Sequence, residues 1–270
     1  MRSYLAISLL TALTGGLLLA VSSSAAPSID KPEPWGTIKG RVVWDEKKLP
    51  EPKEIAITKD VKAIANCLKD GKLYAEDWVV NKDDRGVRWV FVWLAPAPAE
   101  NGDKPAALPI HPDLKEIKNK ELVIDVPCCR FEPHMIGVRK GQVLVAQNSA
   151  PIAHNFKLEG GPDYPGANVL VPAGKTHKFE DLKPSPRVIV VQCAIHPWMR
   201  AWVRVFDHPY FAVTDASGKF EIKNAPAGQF RLYVWHEETG WLNKGGKDGE
   251  PITIKAGETK VLADVDVKNP

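Results

Sequence analysis

The sequence predicts an all-β fold built from small β-sandwich modules, and three observations support this expectation. Short runs alternate apolar and polar residues, as from Gly36 to Trp44, which is the period of a half-buried strand. Proline and glycine are frequent, at 23 and 20 residues, and they lie between these runs as turn residues do. Strands at such regular spacing favour β-sandwiches over β–α–β units.

The first 25 residues predict a cleaved secretory signal peptide. Arg2 supplies a positive charge, an apolar stretch follows from Leu5 to Val21, and small residues allow cleavage after Ala25. An uncleaved membrane anchor is the alternative, but the stretch is at the short limit for a membrane span. We therefore expect a periplasmic or otherwise exported protein, with no membrane span after signal cleavage.

Three β-rich segments follow the signal peptide. We expect an N-terminal β-sandwich module over residues 35–115, a central domain over 118–207 and a C-terminal β-sandwich module over 208–268. The first segment includes a short helix from Asp60 to Leu68 and an apolar core strand from Val87 to Leu94.

The central segment starts with a predicted strand, Leu122 to Val126, and a predicted β-hairpin follows it. Its two strands lie within Met135 to Gln147 and turn at Lys140 and Gly141. The segment ends with two more predicted strands, Arg187 to Gln192 and Ala201 to Phe206, which enclose a short loop.

The formal net charge of the chain is small. It has 36 Lys and Arg residues against 33 Asp and Glu residues, which gives +3. This charge, without a cluster of basic residues, argues against nucleic acid and against an anionic membrane surface as partners.

The loop between those strands contains the most informative motif of the sequence. It reads Cys193-Ala-Ile-His196-Pro-Trp-Met199, so that a thiolate, an imidazole and a thioether can converge on one point. Upstream, His154 follows a predicted strand end and can lie at the same pole of a sandwich. Two His, one Cys and a weak axial Met form the ligand set of blue copper sites. Zinc is less suitable because it prefers tetrahedral Cys and His sets.

The central segment resembles the cupredoxin family. The resemblance rests on Phe131 to Pro133, Val138 to Val145, Asn148, His154-Asn155 and the spacing from Cys193 to Met199, which is similar to the copper loop of amicyanin. It implies a Greek-key β-sandwich that binds one type 1 copper through His154, Cys193, His196 and, axially, Met199.

The resemblance also implies roles for residues around the metal. The side chain of Asn155 would tie the two ligand loops together by a hydrogen bond. His196 would reach the surface within an apolar patch and, with Trp198, form the electron exit, unless Trp198 packs against the C-terminal module. His134 is a possible residue near the site, although a surface position is the favoured alternative.

The C-terminal segment resembles the transthyretin-like regulatory module of carboxypeptidases. The similar residues are Thr214 to Ile222 and Pro226 to Phe230. The whole arrangement is similar to exported bacterial proteins described as methylamine-utilisation-like.

The cysteines in an exported chain allow a disulfide. If Cys193 binds metal, three cysteines remain, of which Cys128 and Cys129 are adjacent and poorly placed to pair with each other. We favour Cys67 with Cys129, and Cys128 in place of Cys129 is the alternative.

These features together predict an exported electron carrier and not an enzyme. All four candidate ligands are side chains, so no position is left for a substrate. The expected partner is a redox protein, either a dehydrogenase or a cytochrome. The alternatives are a structural or ligand-binding β-protein with an incidental or metal-free cupredoxin scaffold, and copper storage or delivery.

Overall fold

The computed structural model describes residues 34–57, 61–68, 71–98, 105–162 and 164–269. Within these ranges the chain forms seventeen β-strands and three short helical segments, which confirms the all-β class. The expected signal peptide lies outside the described residues. None of the helices in these ranges has the length and apolarity needed to cross a bilayer.

The strands have ten residues or fewer and are joined by turns and loops. In chain order the elements are β1 (Trp35–Trp44), α1 (Val61–Cys67), β2 (Phe91–Pro96), α2 (Pro112–Lys115), β3 (Glu121–Asp125), β4 (Met135–Arg139), β5 (Val143–Gln147), β6 (His154–Glu159), β7 (Ala167–Val171), β8 (Thr176–Phe179), β9 (Ile189–Gln192), β10 (Arg200–Phe206), β11 (Phe211–Val213), β12 (Lys219–Pro226), β13 (Gly228–His236), β14 (Gly240–Trp241), a 3-10 turn (Gly246–Asp248), β15 (Glu250–Ile254), β16 (Thr259–Val261) and β17 (Val265–Val267).

The strands of the central segment form two sheets, which we call the central sandwich. One sheet has the order β4-β10-β9-β6-β7 and the other has the order β3-β5-β8. Alternate side chains from the two sheets meet in an apolar core, as expected for face-to-face sheets. Fully buried members of this core include Ile124, Phe131, Leu144, Phe156 and Ile189.

The predicted hairpin from Met135 to Gln147 is wrong. β4 pairs with β10, whereas β5 pairs with β3 and β8, so the two strands lie in different sheets. The turn at Lys140 and Gly141 therefore connects one sheet of the sandwich with the other. Local alternation cannot distinguish these two cases, because both need a tight turn between two strands.

The segments on either side of the central one share their sheets in a second sandwich, the outer sandwich. β1 pairs with β12, β16 and β17 in one sheet, and β2 pairs with β11 and β13 in the other. This differs from the two separate flanking modules that the sequence predicts. Strands from both segments are required in each sheet, so neither segment closes a sandwich by itself.

The strand β2 is apolar throughout because both of its faces are buried. Val92 and Leu94 point into the core of the outer sandwich. Phe91 and Trp93 point the other way, where they pack with Met135 and Phe206 of the central sandwich. This second apolar layer joins the two sandwiches, and a strand buried on both faces reads as a continuous apolar run.

Candidate metal centre

Two neighbouring strands bring the candidate ligands to one pole of the central sandwich. His154 is the first residue of β6, and Cys193 directly follows β9. The two strands are antiparallel and pair Lys157 with Gln192. The beginning of β6 therefore lies beside the end of β9, and His154 and Cys193 meet although 39 residues separate them.

The loop after β9 is closed by its own backbone. The amide of Cys193 donates to the carbonyl of Met199, at 3.3 Å, and the amide of Met199 donates to the carbonyl of His196, at 2.9 Å. The chain then re-enters the sheet, where Arg200 of β10 pairs with Gln192 of β9. This tight return turns His196 back toward Cys193.

Three donor atoms converge on one point at this pole. The Sγ atom of Cys193 lies 3.9 Å from Nδ1 of His154 and 3.5 Å from Nδ1 of His196. The two Nδ1 atoms are 3.0 Å apart. Among the described residues, this is the one group of three or more His, Cys, Asp or Glu side chains whose donor atoms all lie within 4.8 Å of one another.

These distances fit a shared metal ion. Nitrogen and sulfur ligands lie about 2.0–2.3 Å from a bound transition metal, so they lie roughly 3 to 4 Å from one another. Two imidazoles and a thiolate are borderline and soft ligands, which suit copper or zinc better than magnesium or calcium. The cluster is therefore a candidate metal centre.

Burial prepares the ligands for a metal. His154 is completely buried, and Cys193 and His196 are each 2 % exposed. Burial, followed by the effect of the neighbouring His196, lowers the pKa of His154 to about 4. The imidazole of His154 is thus neutral near neutral pH, which is the form that binds a metal.

The fourth expected ligand lies in the same core. Met199 is 1 % exposed and belongs, with Cys193, to the apolar cluster of the central sandwich. Its backbone closes the loop that contains Cys193 and His196. Met199 thus ends the loop that presents Cys193 and His196, with its side chain buried in the same core.

Asn148 supports the segment that leads to His154. Its buried amide donates to the carbonyls of Ile152 and Val171, both at 2.8 Å. Its side-chain oxygen accepts from the amide of Ala150 at 3.1 Å. Two of these bonds fix the loop between β5 and β6, and the bond to Val171 ties that loop to β7. The sequence contained a signal for this role, since an Asn at the end of a strand often satisfies backbone groups of the following loop.

The expected role of Asn155 is wrong in one respect. Its side chain donates to Asn168 of β7, at 3.1 Å, so it does not tie the two ligand loops together. The backbone amide of Asn155 makes that connection, because it donates to Sγ of Cys193 at 3.3 Å. The register of β6 against β9 places this amide, whichever side chain residue 155 has.

His134 does not belong to the cluster, and it does not lie at the surface either. The residue is 5 % exposed. Its Nε2 atom contacts the carboxylate of Glu237, and its Nδ1 atom lies 4.0 Å from that of Glu76. Both expectations are therefore corrected: His134 forms a buried charged contact between the central and the outer sandwich.

The expected surface position of His196 is also corrected. The residue is buried, and the ring of Trp198 lies 5.2 Å from its imidazole, centroid to centroid. Trp198 is half-buried against the core of the central sandwich, and its Nε1 atom donates to the carbonyl of Cys129 at 3.3 Å. The exposed residues of the loop are Ala194, Ile195 and Pro197.

Cys67 and Cys129 form a disulfide, the pairing favoured from the sequence. Cys67 is the last residue of α1, and Cys129 lies between β3 and β4. The bond fastens the segment between β1 and β2 to the central sandwich. Cys128 and Cys193 are free thiols.

One family model matches the chain. It is described as polysaccharide lyase family 4, domain II, and it matches residues 199–262, from the end of the ligand loop into the outer sandwich. It differs from the carboxypeptidase regulatory module expected there. No curated protein sequence matches the chain.

The solved structures that match include several forms of amicyanin. A reduced Trp-to-Tyr mutant and an oxidised Pro-to-Ala mutant are each 18 % identical to the chain, and a Cu(I) form of a Met-to-Ala mutant is 17 % identical. Each match covers 34 % of this chain and 87 % of the amicyanin chain, at a TM-score of 0.29. The likeness is thus weak and confined to about a third of the chain.

Proposed function

We propose that this chain binds one copper ion at His154, Cys193 and His196 and acts as an exported electron carrier. The observation that supports it is the convergence of two imidazole nitrogens and one sulfur within 4.8 Å in a buried site. When bound there, copper would alternate between Cu(I) and Cu(II) and so supply a single-electron couple.

The donor set favours copper over zinc. A structural zinc site is closed by four Cys or His ligands, and the cluster offers three. A fourth, weaker contact from the thioether of Met199 would complete the set that is typical of blue copper proteins.

The protein favours electron transfer by holding its ligands in place. Hydrogen bonds fix both segments that present the ligands, and the donor atoms of the three ligands all lie within 4.8 Å of one another. Such a rigid site reorganises little between two oxidation states. Burial of all three ligands also excludes water and leaves no open position for a substrate, which supports a carrier and not an enzyme.

A partner protein would exchange electrons at the exposed part of the ligand loop. Ile195 is 47 % exposed, and Pro197 lies beside it on the other side of His196. Small apolar surfaces of this kind suit brief contacts with a redox protein, such as a dehydrogenase or a cytochrome. His196 is one residue away from either side chain, so the electron would have a short distance to cross.

Export is part of the proposal. Besides the signal peptide that the sequence predicts, the disulfide between Cys67 and Cys129 supports export, because such bonds persist in oxidising compartments.

Titration of the metal-free protein with Cu(II), followed by absorption spectroscopy, tests the proposal. We expect an intense visible band at one equivalent, which arises from charge transfer between the Cys193 sulfur and the metal. The Cys193→Ser variant should lack this band, and Cys128→Ser, which removes the other free thiol, should retain it. Weak, colourless binding by the wild type would instead support storage or an incidental scaffold.

A further inference from the structure

Three cysteines meet at the end of helix α1. Cys67 is bonded there to Cys129, and Cys128 is the chain neighbour of Cys129. The Sγ atom of Cys128 lies 3.5 Å from the carbonyl oxygen of Asn66 and 3.7 Å from that of Cys67. The free thiol therefore lies against the residue whose sulfur forms the disulfide.

The three sulfurs differ in their access to solvent. Cys67 is 4 % exposed and Cys129 is 1 % exposed, so a thiol in solution does not reach the disulfide directly. Cys128 is only half-buried. A soluble thiol or disulfide thus meets Cys128 first, since exchange requires access to the attacked sulfur.

The backbone favours a change of partner at this point. Cys129 has a φ angle of +49°, in the left-handed region that residues with a side chain rarely adopt. Release of Cys129 from the disulfide would allow its backbone to relax.

We propose that Cys67, Cys128 and Cys129 form a thiol–disulfide exchange centre, in which Cys128 transfers reducing equivalents to the buried disulfide. The thiolate of Cys128 attacks Sγ of Cys67, the bond from Cys67 to Cys129 breaks, and a bond from Cys67 to Cys128 forms. Cys129 leaves as a thiolate and takes up the proton that Cys128 lost. No electrons are gained or lost in this step. An external thiol then attacks the sulfur of Cys128, and Cys67 leaves as a thiolate that takes up the proton of this thiol. A second external thiol displaces the first from Cys128, so that the two external thiols end as a disulfide and the protein retains three thiols.

This exchange would also reach the ligand loop. The carbonyl of Cys129 accepts the hydrogen bond from Trp198, and Trp198 contacts the ring of His196. A change in the backbone at Cys129 would therefore alter the position of Trp198, which lies beside the candidate metal centre. The exchange itself does not depend on a bound metal, and so it stands apart from the proposed function.

The rate of disulfide reduction tests the proposal. The protein is kept metal-free with a chelator and treated with dithiothreitol, and samples are alkylated and analysed by mass spectrometry over time. We expect the Cys128→Ser variant, which retains the native bond, to be reduced roughly tenfold more slowly than the wild type. Equal rates would overturn the proposal, because the disulfide would then be attacked without Cys128.

The position of the bond gives a second readout. Cys129→Ser removes the native partner, and we expect peptide mapping of this variant to find a bond between Cys67 and Cys128. Recovery of both as free thiols after exposure to oxidised glutathione would contradict the proposal. In the wild type, alkylation at equilibrium should label a minor fraction of chains at Cys129, and label at Cys128 alone would count against the exchange.

Discussion

The backbone amide of Asn155 donates a hydrogen bond to the sulfur of Cys193, at 3.3 Å. This bond continues the pairing of β6 with β9 beyond the last residue of β9. An amide directed at a thiolate stabilises its negative charge, and contacts of this kind orient a metal ligand and tune the metal. The strand register thus gives the sulfur of Cys193 a backbone partner in addition to the nearby imidazoles of His154 and His196.

The first prediction distinguishes the contribution of the Asn155 backbone amide to the copper site from that of the Asn155 side chain. We expect Asn155→Ala to leave the visible band of the copper-loaded protein unchanged, because alanine retains the amide that contacts Cys193. The absorption spectrum at one equivalent of Cu(II) is the measurement. A large shift or loss of the band would show that the side chain, through Asn168, contributes more than the distances indicate.

The second prediction concerns Asn148. Replacement by alanine removes the Asn148 partner from the carbonyl of Ile152 and the amide of Ala150, both in the loop before His154, and from the carbonyl of Val171 in β7. We expect Asn148→Ala to lower the free energy of unfolding by about 2 to 3 kcal/mol. We also expect it to weaken copper binding by roughly tenfold or more, since His154 loses its fixed position.

Asn168→Ala is the matched control, because that side chain makes its bond to Asn155 in an exposed position. Chemical denaturation and competition with a chelator measure the two effects. The assigned role would be refuted if Asn148→Ala were as stable as the control in denaturation, or if it bound copper as tightly as the control.

The ligand cluster could be predicted because its signals are local. The spacing from Cys193 to Met199 lies within one loop, and His154 follows a predicted strand end. Antiparallel neighbours then place the two segments at one pole. The bond from the Asn155 amide could not be predicted, because it depends on which residues of β6 and β9 stand opposite each other. Register is set by the whole sheet.

The strand pairing of the outer sandwich could not be predicted from the sequence for a related reason. β1 pairs Ile38 with Ile222 of β12, and the entire central sandwich lies between them in the chain. Each strand has an ordinary alternating pattern that many partners would satisfy. The burial of His134 could not be predicted either, because its partner Glu237 lies 103 residues away in the chain. Nothing near His134 in the sequence indicates that carboxylate.

The third prediction concerns the disulfide. It closes a segment with a sequence separation of 62 residues, and the loss of chain entropy in the unfolded state should stabilise the fold by about 4 kcal/mol. We expect Cys67→Ala to lower the free energy of unfolding by up to this amount in urea denaturation. Cys128→Ser retains the bond and should unfold at the same urea concentration as the wild type. Equal stability of Cys67→Ala and the wild type would show that the bond adds nothing.

The fourth prediction is a pH dependence of stability that arises from His134. Burial disfavours the charged imidazole, but the hydrogen bond and charge of Glu237, with the charges of Glu76 and Asp77, outweigh it and raise the pKa of His134. A raised pKa in the folded state means that the fold binds this proton more tightly than the unfolded chain does. The resulting stabilisation is complete below the ordinary pKa of 6.5 and is lost as the pH rises through the folded value.

The variant His134→Gln isolates this contribution, because glutamine can donate a hydrogen bond to Glu237 but cannot carry the charge. We expect the variant to lose about 2 kcal/mol near pH 5.5 and clearly less near pH 9, measured by urea denaturation against the wild type at each pH. His177→Gln is the control for the loss of an imidazole, because that ring packs edge-on against Phe179 of its own strand. If His134→Gln lost the same stability at both pH values, the contact with Glu237 would be a neutral hydrogen bond. His134 would then join the two sandwiches by shape and packing and not by charge.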